Sequence, residues 1–254
     1  MASQKKPKYL FKYYPDHNSF PEALKTKCLS ALNDPYFFCS PVDNFNDPFE
    51  MRLQVSLPKN DDDWLHLFQL QRKQGLEVPS DEELMDSYIE RNRARIREVF
   101  SSVAQQAVAE FRNKTRVCCF SEVGDSILMW AHYAMQHKGY CLKLDPSITE
   151  MSNHIFPVLY SNGDKFPKFT VYDLDTDYKS KVFGHKHKGW KYEKEWRIAT
   201  QDCEGIFYDK ASIIEVLIGY RASEDLEEEL AGLFPDAKIT RVTIAKESYK
   251  LNID

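Results

Sequence analysis

Glu193, Glu195 and Arg197 stand two residues apart. On a β-strand that spacing puts all three on one face, with neighbours roughly 7 Å apart. Two carboxylates that close can share one polar substrate, which is a way of holding a catalytic acid on a rigid element. The surrounding stretch, Gly189 to Ile198, supplies the other face of such a strand: Trp190, Tyr192, Trp196 and Ile198, interrupted by Lys194. An ordinary half-exposed strand with a Glu195–Arg197 ion pair has the same pattern. In that case the pair fixes a strand edge and its loss costs on the order of 1 kcal/mol.

Three further polar constellations accompany it. Asn44-Phe45-Asn46-Asp47-Pro48-Phe49-Glu50 is strong turn chemistry, because Asn and Asp side chains bond nearby backbone and proline fixes φ; its Asn46 and Asp47 are candidate ligand contacts. Glu50 reads as the start of a strand through Val55. Cys119-Phe120-Ser121-Glu122 leads from a strand into a helix, a junction whose amides suit an anion or a ribose; Ser121 there reads as the helix cap. His132, between Trp130 and Tyr133, is either a hydrogen-bonded core histidine or a general base. His185-Lys186-His187-Lys188 reads as a solvated loop, and its two histidines are a fragment of a metal site without a partner. The chain has no Gly-rich phosphate loop, no GxSxG elbow and no HExxH.

The elements that must position these residues follow from periodicity. Tyr9–Tyr14 is an aromatic strand ended by Pro15, Phe20–Leu32 a helix and Tyr36–Cys39 a short strand. Asn60-Asp61-Asp62-Asp63 starts a helix, and Ser80-Asp81-Glu82-Glu83 is a capping box opening a helix of about 30 residues. Residues 58–114 therefore read as a helical insertion. Arg116–Phe120 is a buried strand, Ser126–Met135 a helix and Gly139–Leu144 a strand. Further strands fall at 156–160, 196–200, 206–208, 213–218 and 239–244, with an acidic helix over Ser223–Phe234. Strands outnumber βαβ alternations, so the spacing predicts one α+β domain over 1–254 with a mixed, mostly antiparallel sheet.

Bulk properties narrow the function classes. With 254 residues, 43% of them hydrophobic, the chain can bury a sizeable core, which excludes disorder for most of it. The net charge of −5 argues against nucleic-acid binding by phosphate neutralisation alone and leaves only a local basic patch for it. No apolar run approaches the roughly 20 residues that span a bilayer, and the lysine-rich start lacks the apolar segment of a secretory signal. The six cysteines form no CxxC and read as free thiols of a reducing, cytoplasmic compartment, with no zinc site.

The order and spacing of several motifs resemble a prokaryotic domain-of-unknown-function family, number 2971. They are Tyr9-Leu10-Phe11-Lys12-Tyr13, Phe38-Cys39-Ser40-Pro41, Asn46-Asp47-Pro48-Phe49-Glu50, Cys119-Phe120-Ser121-Glu122, Met129-Trp130-Ala131-His132-Tyr133-Ala134, His137-Lys138-Gly139 and Glu193-Lys194-Glu195-Trp196-Arg197. The likeness covers about residues 8–200, with 58–114 as its variable part. That family implies little chemistry. A more distant resemblance is to ADP-ribosyltransferase-like folds. It implies that Glu195 stabilises an oxocarbenium-like ribosyl centre, that Glu193 orients the acceptor, and that Ser40 and Tyr13 line an NAD pocket. Lys12-Tyr13-Tyr14 stands where such enzymes carry arginine or histidine. The candidate site is thus Glu195, Glu193 and His132 for catalysis, with Lys12, Tyr13, Ser40, Asn46, Asp47 and Ser121 around a nucleotide, NAD being the candidate substrate. Two alternatives stand beside it: a non-catalytic sensor or protein-interaction domain of a defence or stress system, and a nuclease-like site holding Mg²⁺ on Asp47, Glu50, Glu193 and Glu195.

Overall fold

A computed structural model of the protein describes residues 5–73, 112–148, 150–175, 183–201 and 203–253, together with 75, 87, 89–91, 98, 102, 109 and 110. Ten strands bear on the site: β1 (Leu10–Tyr14), β2 (Ser40–Pro41), β3 (Thr115–Ser121), β4 (Tyr140–Leu144), β5 (Phe156–Pro157), β6 (Leu159–Ser161), β7 (His185–His187), β8 (Glu195–Gln201), β9 (Ile213–Ile218) and β10 (Lys238–Arg241). Eight of them form one sheet in the order β10-β9-β4-β1-β3-β8-β5, with β2 also on β3. Among the described residues of this sheet only β9 and β10 run parallel. The α+β class and the mixed, mostly antiparallel sheet are as the sequence predicts.

Strand periodicity sorts the side chains between two layers. Leu10, Cys118, Phe120, Leu142, Leu144, Trp196, Ile198, Val216 and Ile218 face one way, onto α1 (Glu22–Asn33) through Leu32 and onto a C-terminal helix (Glu224–Leu233) through Leu226 and Leu230. Each such side chain contributes about 1.5–3 kcal/mol by leaving water. The C-terminal helix begins where Ser223 accepts from the Leu226 amide, ahead of Glu224, Asp225 and Glu227, which suit the positive end of its dipole. The intervening residues face the other way. Phe11, Tyr13, Cys141 and Leu217 pack on Met129 and Trp130, and Val117 packs on Val42, Met51 and Phe183.

Between these last two groups the sheet forks. The full length of one β3 edge is paired by β8, from Glu195↔Ser121 to Gln201↔Thr115. The other edge is shared. β1 meets it only at Phe11↔Ser121, whereas β2 takes Val117 and Arg116. Cys118 to Phe120 therefore border a gap, which the Lys12 ammonium bridges by donating to the Cys119 carbonyl at 2.9 Å. On the far side of β1, Gly139 enters β4 so closely that a Cβ would lie 2.0 Å from the Tyr14 carbonyl oxygen.

A second helix, Asp61–Lys73, starts as predicted. Asn60 accepts from the Asp63 amide and Asp63 from that of Lys59. Its Trp64, Leu67 and Phe68 form a separate cluster with Ile89 and Val171. The capping box at Ser80–Glu83 and most of the 30-residue helix lie outside the described residues. Cys28, Cys39, Cys118, Cys119, Cys141 and Cys203 are free thiols. Among the described residues no helix is long and apolar enough to cross a membrane.

Three expectations are corrected. Gly189–Ile198 is not one strand. Lys188–Glu193 is a 3₁₀ turn capped by His187, and Lys194 takes a left-handed conformation (φ 41°) before β8 begins at Glu195. Trp190 and Tyr192 thus leave the face of Trp196 and Ile198. Glu50 lies in a turn, its amide bonded to the Asp47 carbonyl, and the following strand is only Gln54–Val55. His185–His187 is a strand parallel to β6, with the middle lysine buried, rather than a solvated loop.

Candidate functional site

β8 turns the alternate residues Glu195 and Arg197 away from the Trp196–Ile198 core, into a layer sealed by Phe183 and Phe45. Arg197 is fully buried. A guanidinium there needs acceptors for its donors, since an unpaired buried charge is costly. Its Nε donates to Glu195 Oε1 (2.8 Å) and its Nη2 to Glu195 Oε2 (3.0 Å). The second fork reaches Glu50, Nη1 to Oε1 at 2.6 Å and Nη2 to Oε2 at 3.0 Å, and Nη1 also donates to the Phe183 carbonyl. The Asn-Asp-Pro turn exists to deliver Glu50: Asp47 Oδ1 accepts from the Phe49 amide and holds the bend.

Lys186 extends the cluster. β7 is joined to the 3₁₀ turn, so the Lys186 ammonium reaches Glu193 Oε2 (2.6 Å) and Glu195 Oε2 (3.0 Å), with Glu50 Oε2 at 4.0 Å. Tyr133, on the helix Ile127–Tyr133, donates its hydroxyl to Glu193 Oε1 at 2.5 Å. The backbone is fixed as tightly. Ser121 donates to the Glu193 carbonyl and accepts from the Val123 amide, and the Glu195 amide donates to the Tyr160 hydroxyl. With all three carboxylates ionised, the cluster carries one negative charge more than its two cations balance.

The two neighbouring glutamates are pushed in opposite directions. For Glu195, burial raises the pKa, but Arg197 and Lys186 outweigh it and hold the carboxyl well below its ordinary value. For Glu193, burial dominates; Lys186 pulls the other way, Glu195 adds to burial, and the result is a raised pKa. Burial disfavours the Lys186 ammonium, yet Glu195, Glu193 and Glu50 keep it charged, and burial followed by Glu193 keeps the Tyr133 phenol protonated. A carboxylate fixed as an anion beside one readily protonated separates charge stabilisation from proton transfer.

A cavity of about 440 Å³ opens at the fork between β1 and β3. Of the residues selected from sequence, Lys12, Tyr13, Ser40, Asn46, Ser121, His132, Glu193 and Glu195 all line it. Asp47 does not; it is turned into the bend and borders a second cavity. Tyr13 is committed to packing, its ring edge-on to Trp130 and its hydroxyl donating to the Val123 carbonyl. His132 is exposed at the rim, its ring 6.2 Å from that of Tyr192, and so is no core histidine. Ser121 ends β3 and caps nothing; Ser126 caps the helix. The Glu195–Arg197 pair, expected at an exposed strand edge, is buried, with β8 flanked by β3 and β5. Sequence reasoning passed over Lys186, Tyr133 and Tyr160. The one signal for Lys186 is the alternation His185-Lys186-His187, which points the lysine away from both histidines.

A family model described as a protein of unknown function (DUF2971) matches residues 129–198. The match supports the resemblance to that family over this stretch. It runs from the helix bearing Tyr133 through Lys186 and Glu193 to the first half of β8, and so contains both catalytic-candidate glutamates and their lysine. Glu50, Lys12 and Ser40 come from outside the matched DUF2971 region. No curated protein and no solved structure matches the chain. Among the described residues no group of three or more His, Cys, Asp or Glu is arranged to hold a metal ion. Arg197 and Lys186 occupy the carboxylate oxygens that a nuclease-like site would offer to Mg²⁺.

Two outcomes follow for stability. Arg197→Met strands two buried carboxylates and should cost about 3–5 kcal/mol in urea unfolding; a loss near 1 kcal/mol would mean the cluster is solvated. The glutamates should also diverge with pH. A group with a raised folded pKa contributes stability below its unfolded value and loses it as pH rises through the folded value. Glu193→Gln should therefore gain on the parent as pH rises above 4.5, the ordinary value for both groups. Glu195→Gln should fall behind below that value, as the parent gains stability on rising toward pH 4.5, and keep a constant deficit above it. Midpoints of both variants that run parallel to the parent's from about pH 2 to 8 would contradict this.

Proposed function

We propose that the cavity binds a nucleotide-type substrate, with NAD as the first candidate, and breaks the N-glycosidic bond of its ribose. The observation carrying this reading is the buried cluster with one excess negative charge on the wall of an aromatic-lined cavity. Such a site favours positive charge developing in a transition state, and it does so without reorganising. Phe20 and Phe45, both part-exposed, give the cavity aromatic surface for planar rings, and Lys12 supplies a cation for phosphate.

In this reading the bond from the ribose anomeric carbon to the pyridinium nitrogen breaks, and its electron pair leaves with nicotinamide. Glu195, fixed as an anion by Arg197 and Lys186, stabilises the oxocarbenium-like centre. An acceptor O–H or N–H, water included, attacks that carbon and its proton passes to Glu193. Tyr133 and Lys186 hold Glu193 in place, and His132 stands at the mouth of the cavity. The more distant resemblance to ADP-ribosyltransferase-like folds points to the same chemistry, and the opposed pKa shifts of the two glutamates suit the two roles.

The test is nicotinamide release from NAD by the parent, Glu195→Gln and Glu193→Gln, each checked for a cooperative melt. Release by the parent should fall about 10²-fold or more in either variant. Equal release by all three would take the glutamates out of the mechanism. No release by a folded parent would sink the NAD assignment and favour the sensor reading, in which the cluster only fixes the strand.

A further inference from the structure

The second cavity, about 470 Å³, shares one residue with the first: Lys186 lines both. Its ammonium lies 2.6 Å from Glu193 Oε2 in the first cavity and 5.2 Å from the centre of the Trp190 ring in the second. Two cavities adjoining the lysine that holds Glu193 suit a group transfer with separate donor and acceptor sites.

The lining of the second cavity states the acceptor's chemistry. Phe49 is 56% exposed and Phe166 is 38% exposed, and together they form an aromatic patch on the cavity wall. Their ring centres lie 5.9 Å apart, and the Arg52 guanidinium sits 6.0 Å from the Phe49 ring. Lys165, His185 and His187 add cationic or protonatable groups, against Asp164 and the structurally engaged Asp47. Stacking platforms interleaved with cations bind bases and phosphates together. We infer that the second cavity holds a base of single-stranded nucleic acid, which serves as the acceptor for the ribosyl group.

This rests on the glycosyl-transfer reading of the first cavity. A base nitrogen bearing N–H attacks the anomeric carbon; the C–N bond forms as the bond to nicotinamide breaks, its electron pair leaves with nicotinamide, and the proton of the attacking nitrogen goes to Glu193. The chain's net charge of −5 confines binding to this local patch, so affinity should be modest and steeply salt-dependent.

Fluorescence anisotropy of labelled DNA and RNA strands of about ten nucleotides, with no NAD present, tests the site apart from the reaction. Saturable binding is expected that weakens with salt and falls at least tenfold in Phe49→Ala/Phe166→Ala and in Arg52→Ala. These side chains are solvent-facing and their variants should fold. DNA binding tighter than RNA, or the reverse, names the acceptor. No saturable binding of either strand, or binding indifferent to all three substitutions, would overturn the inference even if nicotinamide is released. Binding without nicotinamide release would support the site and count against the donor reading alone. Mass spectrometry with NAD present should find the ribosyl adduct on the strand; an adduct found on added protein and not on the strand would overturn the nucleic-acid assignment.

Discussion

The Arg197 guanidinium is the constraint on which the rest depends. It is fully buried and bonds both oxygens of Glu50, both of Glu195 and the Phe183 carbonyl. Taking such a charge from water costs several kcal/mol, which only a complete set of acceptors offsets. Those acceptors come from three separate places: the turn after Asp47, the start of β8, and the segment leading into β7. One side chain thus pins together parts of the chain that, among the described residues, no direct strand pairing joins.

Satisfying Arg197 leaves carboxylate oxygens that need further cations, and Lys186 answers that need while carrying Glu193 into the same cluster. From there the geometry acquires its functional character. Glu195 is surrounded by positive charge and stays ionised, whereas Glu193 is buried with a single cation and a phenol and holds its proton more readily. The forked sheet sets a cavity against this pair, because β1 and β2 divide one edge of β3 between them. Neither half of the arrangement suffices alone. A cluster without the fork would be inert packing, and a fork without the cluster would be an unremarkable aromatic slot.

How far the sequence reveals this varies with the range of the forces involved. The alternation of Trp196 and Ile198 with Glu195 and Arg197 is local and legible, as are the cap at Ser223 and the start of the helix at Asp61. Glu193 lies beside Glu195 for a reason that alternation cannot express, since a left-handed Lys194 swings a 3₁₀ turn back onto the strand. Lys186 reads as one member of a solvated charge run because its partners are distant in the chain, and burial of a lysine is decided by partners. Asp47 shows the converse: its residue type suits a ligand contact, but the turn it builds consumes it. Asn46 is legible from turn chemistry, Ser121 from a strand–helix junction and Ser40 through resemblance, but the cavity that gathers them with His132 depends on a strand register no local pattern encodes.

The central claim is that this cluster favours positive charge at a ribose-sized centre in the cavity. It is tested most directly by calorimetric titration with a pyrrolidine mimic of ribose, protonated at neutral pH, against its uncharged tetrahydrofuran counterpart. The account predicts that the cation binds at least about tenfold tighter, a difference of about 1.4 kcal/mol, and that Glu195→Gln erodes the preference. Equal binding of the two, or a preference unchanged in the variant, would contradict it.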